Sequence, residues 1–383
     1  MSPSIKLMSL VGARPQFIKL APLVRAIEAH NAGNRERTIE HIIIHTGQHY
    51  DHGMSDIFFD ELEIPHPNVN LGVGSGRHGV QTGKMLAGIE EILLEHKPDM
   101  FIIFGDTNST IAGALAAAKL HIPIAHIEAG LRSFNRKMPE EVNRIMSDHV
   151  SDLLFAPTPA AIENLEKEGL TDRMISSGDI MYDTVLLNSK LAEKKSTILS
   201  KLGLEKGNYA IATCHRAENT NDPERLANIM NVFNEIASTQ FPIAFTMHPR
   251  TKHILAKDFP EWKPADNLII LEPLGYLDML QLLEGAKVAL TDSGGLQKEA
   301  FFLEVPCVTM RDETEWTETV DAGGNIVTGA DPEKIMHAIK HFTSEDMQSF
   351  TDKLQETFGK GNSAEITVAA IVHFVEGKKA IPA

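Results

Sequence analysis

The chain alternates short, almost unbroken apolar runs with longer segments of helical periodicity, and it does so twice. In the first half, Ile5 to Val11, Ile39 to Thr46, Asp99 to Gly105, Ile122 to Glu128 and Leu153 to Ala156 read as strands. Helices are expected over 15–30, 54–62, 81–96, 108–120 and 140–150. Continuous apolar strands suit a parallel sheet covered on both faces. Strand–helix alternation then points to an α/β fold with a doubly wound sheet. Beyond a polar, lysine-rich stretch at 192–206 the pattern restarts, with strands over 209–213, 243–247, 268–271, 288–291 and 307–310. The helices of this half are expected over 223–238, 276–284 and 296–303. A length of 383 residues exceeds a typical single core and fits two such domains. The expected division is 1–185 and 186–362, followed by a helix within 363–383 that crosses back to the first domain. A ligand site is expected in the cleft between the domains.

A formal net charge of -16 makes nucleic acid and anionic membranes poor partners. Any phosphate must therefore be held by local cations and backbone amides. No apolar run approaches the length of a membrane span. Met1 to Lys6 lead into the first strand without a signal-peptide layout, so the expected location is the cytoplasm. The two cysteines, Cys214 and Cys307, argue against a disulfide framework.

Two of the strands end in carboxylates, Asp106 and Glu128, and Glu140 and Glu141 follow closely. Ligands of open α/β sheets sit outside the carboxyl ends of the strands, so these acids should face one crevice. Several acids beside cations suit proton transfer at an unactivated carbon. The competing reading is a set of ordinary strand-end caps. Gly12-Ala13-Arg14-Pro15 opens the first helix. Free amides there, with Arg14 and Lys19, would suit phosphate, although a plain turn is equally compatible and G-x-G-x-x-G is absent.

Thr291-Asp292-Ser293-Gly294-Gly295 is a sharper phosphate turn, and Glu299 in the following helix suits a ribose hydroxyl. His215, with Arg216, ends the first strand of the second half, and His248 and Arg250 end the next. Cys214 is discounted as a nucleophile because neighbouring strand residues point to opposite faces. Residues 45–52 are rich in histidine, but neither H-E-x-x-H nor zinc-spaced cysteines occur, so no metal is expected.

Taken in order, these motifs resemble the non-hydrolysing UDP-N-acetylglucosamine 2-epimerase family. The matching pieces are Gly12 to Pro15, Thr46 to His49, Gly105 to Thr107, His126 to Arg132, Pro139 to Arg144, His215 to Asn219 and Asp292 to Gly295. The resemblance runs from about residue 5 to residue 375. It implies the GT-B architecture of two Rossmann-like domains and inversion at C2 of a UDP-linked amino sugar, UDP-N-acetylglucosamine to UDP-N-acetylmannosamine. Neither metal nor redox cofactor is expected, and the implied partners are the UDP-sugar and a second copy of the chain.

By motif match, Asp106, Glu128 and Glu140 are acid/base candidates and His215 serves the diphosphate. Arg14, Lys19, His248, Ser293, Gly294, Gly295 and Glu299 match nucleotide contacts. Ala13, Gln16, Phe17, Ala217 and the stretch 311–316 depart from the commonest pattern. They look more like the branch acting on UDP-2,3-diacetamido-glucuronate, a surface-polysaccharide precursor. One of the cations Arg132, Arg136 and Lys137 would then meet the sugar's C6 carboxylate. Tyr50 and Asp51 follow Gln48 and His49 where relatives activated by UDP-N-acetylglucosamine carry a Gln-His-Arg run with a further glutamine, so such activation is not expected. Two other functions compete: a GT-B glycosyltransferase and a non-catalytic sugar-nucleotide sensor.

Overall fold

A computed structural model describes residues 4–33, 37–48, 59, 62–344 and 349–377. The chain divides into two compact units, Met1–Thr184 with Thr357–Ala383, and Val185–Glu356. Each is built on one parallel sheet with helices packed against it.

The first sheet has the order β3-β2-β1-β4-β5-β6-β7. Its strands are β1 (Ile5–Val11), β2 (Ile39–His45), β3 (Val69–Asn70), β4 (Met100–Phe104), β5 (Ile124–Ile127), β6 (Leu153–Ala156) and β7 (Met174–Ser176). Every residue of β4, β5 and β6 is buried, which is why their sequences carry no polar alternation. Helix Asn108–Lys119 follows β4 and starts sharply because Thr107 and Thr110 form a reciprocal capping box. Its alanines lie flat against the sheet.

The second sheet has the order β10-β9-β8-β11-β12-β13. These strands are β8 (Ala210–Thr213), β9 (Ile243–Thr246), β10 (Leu268–Leu271), β11 (Val288–Thr291), β12 (Cys307–Thr309) and β13 (Asn325–Val327). Asp222 and Asp331 cap helices Pro223–Thr239 and Pro332–Phe342, each with proline in the first turn. In both sheets the first strand is central and the order reverses beside it, the doubly wound α/β class expected from the pattern.

Several elements differ from expectation. β3, β7 and helix Pro159–Lys167 are too short for periodicity to declare them. The lysine-rich stretch at 192–206 holds the end of helix Ile180–Lys195 followed by helix Ile198–Leu202, and the division between units falls inside the longer helix. The helix expected over 54–62 lies mostly outside the described residues. No described helix is long and apolar enough to cross a membrane.

Helix Ser363–Val375 packs on helix Arg14–Gly33 within the first unit. Its start is tied down by Asp183, whose Oδ1 accepts from Ala364 N at 2.8 Å. Asp183 Oδ2 is buried without a partner. Burial, with Asp179 nearby, raises the Asp183 pKa to about 6. A raised acid pKa means that the folded chain holds a proton the unfolded chain has released, so this group's contribution falls as pH rises toward 6 and is flat above it. Asp183→Asn should therefore gain thermal stability relative to wild type as pH is raised from 4 to 7. Melting curves across that range check this; a difference that does not vary with pH would assign the effect elsewhere.

Candidate active site

The pairing of β4 with β5 sets the geometry of the first half-site. Phe104 lies opposite Ile127, and Gly105 N donates to Ile127 O at 3.0 Å. Asp106 and Glu128 therefore leave adjacent strands at the same level. Gly105 has φ +62°, and a Cβ there would come within 3.1 Å of Glu128 Oε2, so glycine is what allows the two acids to sit together. Glu128 itself holds φ +70°, an uncommon conformation for a side-chain-bearing residue.

Lys19, only 8% exposed, forms an ion pair with Glu128. Burial disfavours the Lys19 ammonium, but Glu128, Asp106 and Asp179 together hold its pKa above the usual value. Arg144 Nη2 pairs with Asp106 Oδ2 at 2.5 Å, and Asn143 Nδ2 donates to Asp106 O at 2.9 Å. Burial raises the Asp106 pKa; Arg144 and Lys19 work against that, while Glu128 adds to it. Glu140 stands exposed in the first turn of helix Pro139–Val150.

Three expectations meet these observations. Lys19, expected on the nucleotide, is held by Glu128. The amides of Gly12 and Ala13 are not free for phosphate, because Gln16 Oε1 accepts from both at 2.8 and 3.1 Å. Arg132, expected on the sugar, has a side chain only 1% exposed, paired with Asp148 at 2.7 Å and Glu168 at 2.7 Å. Both acids lie in the same unit, so Arg132 is turned inward as a buried ion pair. Arg136 and Lys137 remain exposed on the loop. The side chain of Arg14 and residues 49–52 lie outside the described part of the chain.

In the second unit, Asp292 follows β11 and is fully buried. Its carboxylate accepts from His215 N at 2.9 Å, Arg216 N at 2.9 Å and Asn219 Nδ2 at 3.1 Å. His215 Nδ1 lies 3.3 Å from Asp292 Oδ1, and the His215 and His248 rings are 5.5 Å apart. Burial lowers the His215 pKa, with Asp292 opposing and His248 and Arg216 assisting. His248 Nδ1 accepts from Arg250 N at 3.1 Å, which leaves the ring proton of the neutral form on Nε2.

Ser293 caps helix Gly294–Phe302, whose first amides, those of Gly294 and Gly295, have no intrahelical acceptor. A Cβ at Gly294 would lie 2.0 Å from Glu315 Oε1, so a larger residue in that turn would have to displace the Glu315 carboxylate. Trp316 Nε1 donates to Gly294 O at 2.9 Å, and Lys298 sits 4.1 Å from the Trp316 ring. Glu299 is half-buried in the same helix. Cys214 is buried, and burial together with Asp292 pushes its thiol pKa well up, which suits packing and not nucleophilic attack.

The family model described as UDP-N-acetylglucosamine 2-epimerase matches residues 31–372. The chain belongs to this family. It is 53% identical over 363 residues to a UDP-N-acetylglucosamine 2-epimerase homolog of Methanococcus maripaludis, covering 94% of this chain and 97% of that one. It is 46% identical over 339 residues to the UDP-2,3-diacetamido-2,3-dideoxy-D-glucuronate 2-epimerase of Pseudomonas aeruginosa, covering 88% and 92%. The structure of the Methanocaldococcus jannaschii UDP-GlcNAc 2-epimerase superposes with TM-score 0.85 at 43% identity, covering 96% of this chain and all of that one. That archaeal enzyme has also been solved in complex with UDP-GlcNAc and UDP, with TM-score 0.78 and coverage of 96% and 100%. This epimerase is accordingly an isomerase of the two-Rossmann, GT-B class.

Sequence reasoning passed over Asp148 and gave no separate role to Gln16, Glu141 or Arg144. Glu141 and Arg144 stand three apart on one helix, a spacing that signals an ion pair. Gln16 joins the turn after β1 to the turn after β4, because its Nε2 donates to Phe104 O at 2.8 Å. Gln16→Leu would leave the Gly12 and Ala13 amides buried without an acceptor, a loss of about 1–3 kcal/mol of stability. Urea denaturation measures this; an unchanged midpoint would mean that water replaces the amide oxygen at no cost.

Proposed function

We propose that this epimerase inverts C2 of UDP-N-acetylglucosamine by elimination and re-addition of UDP, with Asp106, Glu128 and Glu140 as its proton carriers. The observation that supports it most is the Lys19–Glu128–Asp106–Arg144 cluster, two acids at adjacent strand ends with a cation on each. In the first half-reaction a carboxylate takes the C2 proton. The C–H electron pair becomes the C1–C2 double bond, and the C1–O pair leaves with UDP. In the second, a proton reaches the opposite face of C2 and the diphosphate oxygen re-forms its bond to C1. His215, His248, Ser293 and the Gly294 and Gly295 amides offer donors to the departing diphosphate. Glu299 takes the ribose hydroxyls, and Arg14 adds a charge to the nucleotide.

Asp106→Asn, Glu128→Gln and Glu140→Gln should each lower turnover by roughly a hundredfold or more. UDP should still bind, and C2 should fail to take up deuterium from heavy water. A variant that keeps near wild-type turnover removes that residue from the proton path. A glycosyltransferase would instead need an acceptor and leave C2 unlabelled.

A second substrate, UDP-2,3-diacetamido-glucuronate, is favoured by the 46% identity to the Pseudomonas enzyme of that name and by the exposed Arg136 and Lys137. A charge-assisted pair with the C6 carboxylate would favour it by about tenfold to a hundredfold in affinity. Comparing kcat/KM for the two sugars decides between them. If the acidic sugar wins, Arg136→Ala should erode its advantage and spare the neutral one. The same reading carries a homodimer, working in the cytoplasm and supplying polysaccharide synthesis, which rests on the family resemblance; light scattering tests the dimer.

A further inference from the structure

We propose that Glu141 is a positioning residue that couples the loop 133–138 to the placement and charge of Asp106 through Arg144. The inference rests on the reading of Asp106 as a proton carrier, and it assigns a role to the neighbour of Glu140.

Glu141 is only 1% exposed, yet its carboxylate is fully occupied. Oε2 accepts from Ser133 N at 2.8 Å, Ser133 Oγ at 2.9 Å and Arg144 Nη1 at 3.2 Å. Oε1 accepts from Phe134 N at 2.9 Å. These bonds hold the Glu141 pKa below the ordinary range although burial works the other way. Phe134 is 76% exposed and has φ +56°, a conformation a bulky side chain adopts only when its surroundings impose it. No apolar packing explains the strain at so exposed a ring. Glu141 does, because it draws the amides of two successive residues to one carboxylate.

The other end of the device is Arg144. One side of its guanidinium meets Glu141 and the other meets Asp106. Asp106 is faced by three charged groups: Arg144 from helix Pro139–Val150, Lys19 from helix Arg14–Gly33, and Glu128 after β5. Arg144 is thus the one of its two cations that also reads the loop. The loop carries Arg136 and Lys137, the exposed cations between Glu128 and Glu140. When the loop is ordered, Glu141 is held, Arg144 is held, and Asp106 keeps its place. When the loop opens, Glu141 loses two amides and is free to draw Arg144 away.

The test compares Arg144→Gln, Glu141→Gln and the double variant in kcat/KM pH profiles and amide exchange of the loop. Removing the cation beside Asp106 shifts the limb that Asp106 governs to higher pH, whichever protonation state is active. Arg144→Gln should do this without loosening the loop, and should lower kcat by up to about a hundredfold through misplacement. Glu141→Gln should loosen the loop and, because a neutral amide no longer competes for Arg144, shift the same limb to lower pH. The double variant should be no worse than Arg144→Gln, since both act on one path. A loosened loop with an unmoved limb in Glu141→Gln would overturn the coupling. Should that variant fail to fold, Ser133→Ala removes one donor of the clamp, leaves the Glu141 charge freer to draw Arg144, and should give a small shift to higher pH; an unmoved limb there overturns it equally. Should Asp106→Asn prove fully active, the reading of Asp106 falls, but the coupling is still decided by carbon-13 NMR titration of labelled aspartate, in which Glu141→Gln must move Asp106.

Discussion

The buried carboxylate of Asp148 is the fixed point of the first half-site. It accepts from Gly130 N at 3.1 Å, meets Arg132 Nη1 at 2.7 Å and lies 2.6 Å from His126 Nδ1. The other nitrogen of His126 lies 2.8 Å from Gly105 O. Asp148 and His126 together thus tie the peptide just before Asp106 to the segment just after Glu128. Burial would neutralise Asp148, but His126 and Arg132 hold its pKa below the usual range. Removing the charge would leave the buried Arg132 with Glu168 alone and take the carboxylate from His126 Nδ1, a broken buried pair that costs up to about 3–5 kcal/mol. The two acids can be placed by so few contacts because all of them lie in a sheet that scarcely yields.

Much of this fold was legible in the chain. β6 and β11 begin and end where expected because they are buried on both faces, and β10 does so as an apolar edge strand that leaves Ile270 exposed. β3 and β7, of two and three residues, carry no period, and helix Ile180–Lys195 was obscured by its mixed polar and apolar faces. The adjacency of Asp106 and Glu128 followed from successive strands in a doubly wound sheet. The partner of Lys19 did not, since Glu128 lies 109 positions away and only the tertiary fold turns the lysine toward it. Arg132 misled for a related reason. A cation in a polar loop reads as exposed, and its partners, Asp148 and Glu168, become visible only when the helices are in place.

The cluster also explains how an acidic protein can hold more acids where they are useful. The formal charge of -16 makes the surrounding field unfavourable to carboxylates and to diphosphate alike. Lys19 and Arg144 answer this locally, one on each acid. They are not equivalent. Lys19 is the more deeply buried and keeps to Glu128, whereas Arg144 is shared between Asp106 and Glu141. The two acids therefore experience different environments, and differing environments are what allow two carboxyl groups to take different protonation states.

The second unit repeats the device with different residues. Asp292 is to His215 and Arg216 what Asp148 is to Gly130: a buried carboxylate at the carboxyl end of a sheet, occupied by the backbone of the neighbouring loop. The physical reason is general. Where a parallel strand stops, its next amides lose their ladder partner, and a buried amide without an acceptor is costly. A carboxylate from an adjoining element can satisfy several at once and is more strongly bound than a neutral acceptor. What remains at such a loop is a backbone fixed by charge, with His215 meeting that charge through Nδ1 alone. His215 keeps a third of its surface exposed while its own amide is locked to Asp292, so the imidazole can serve a ligand without having to hold the turn together.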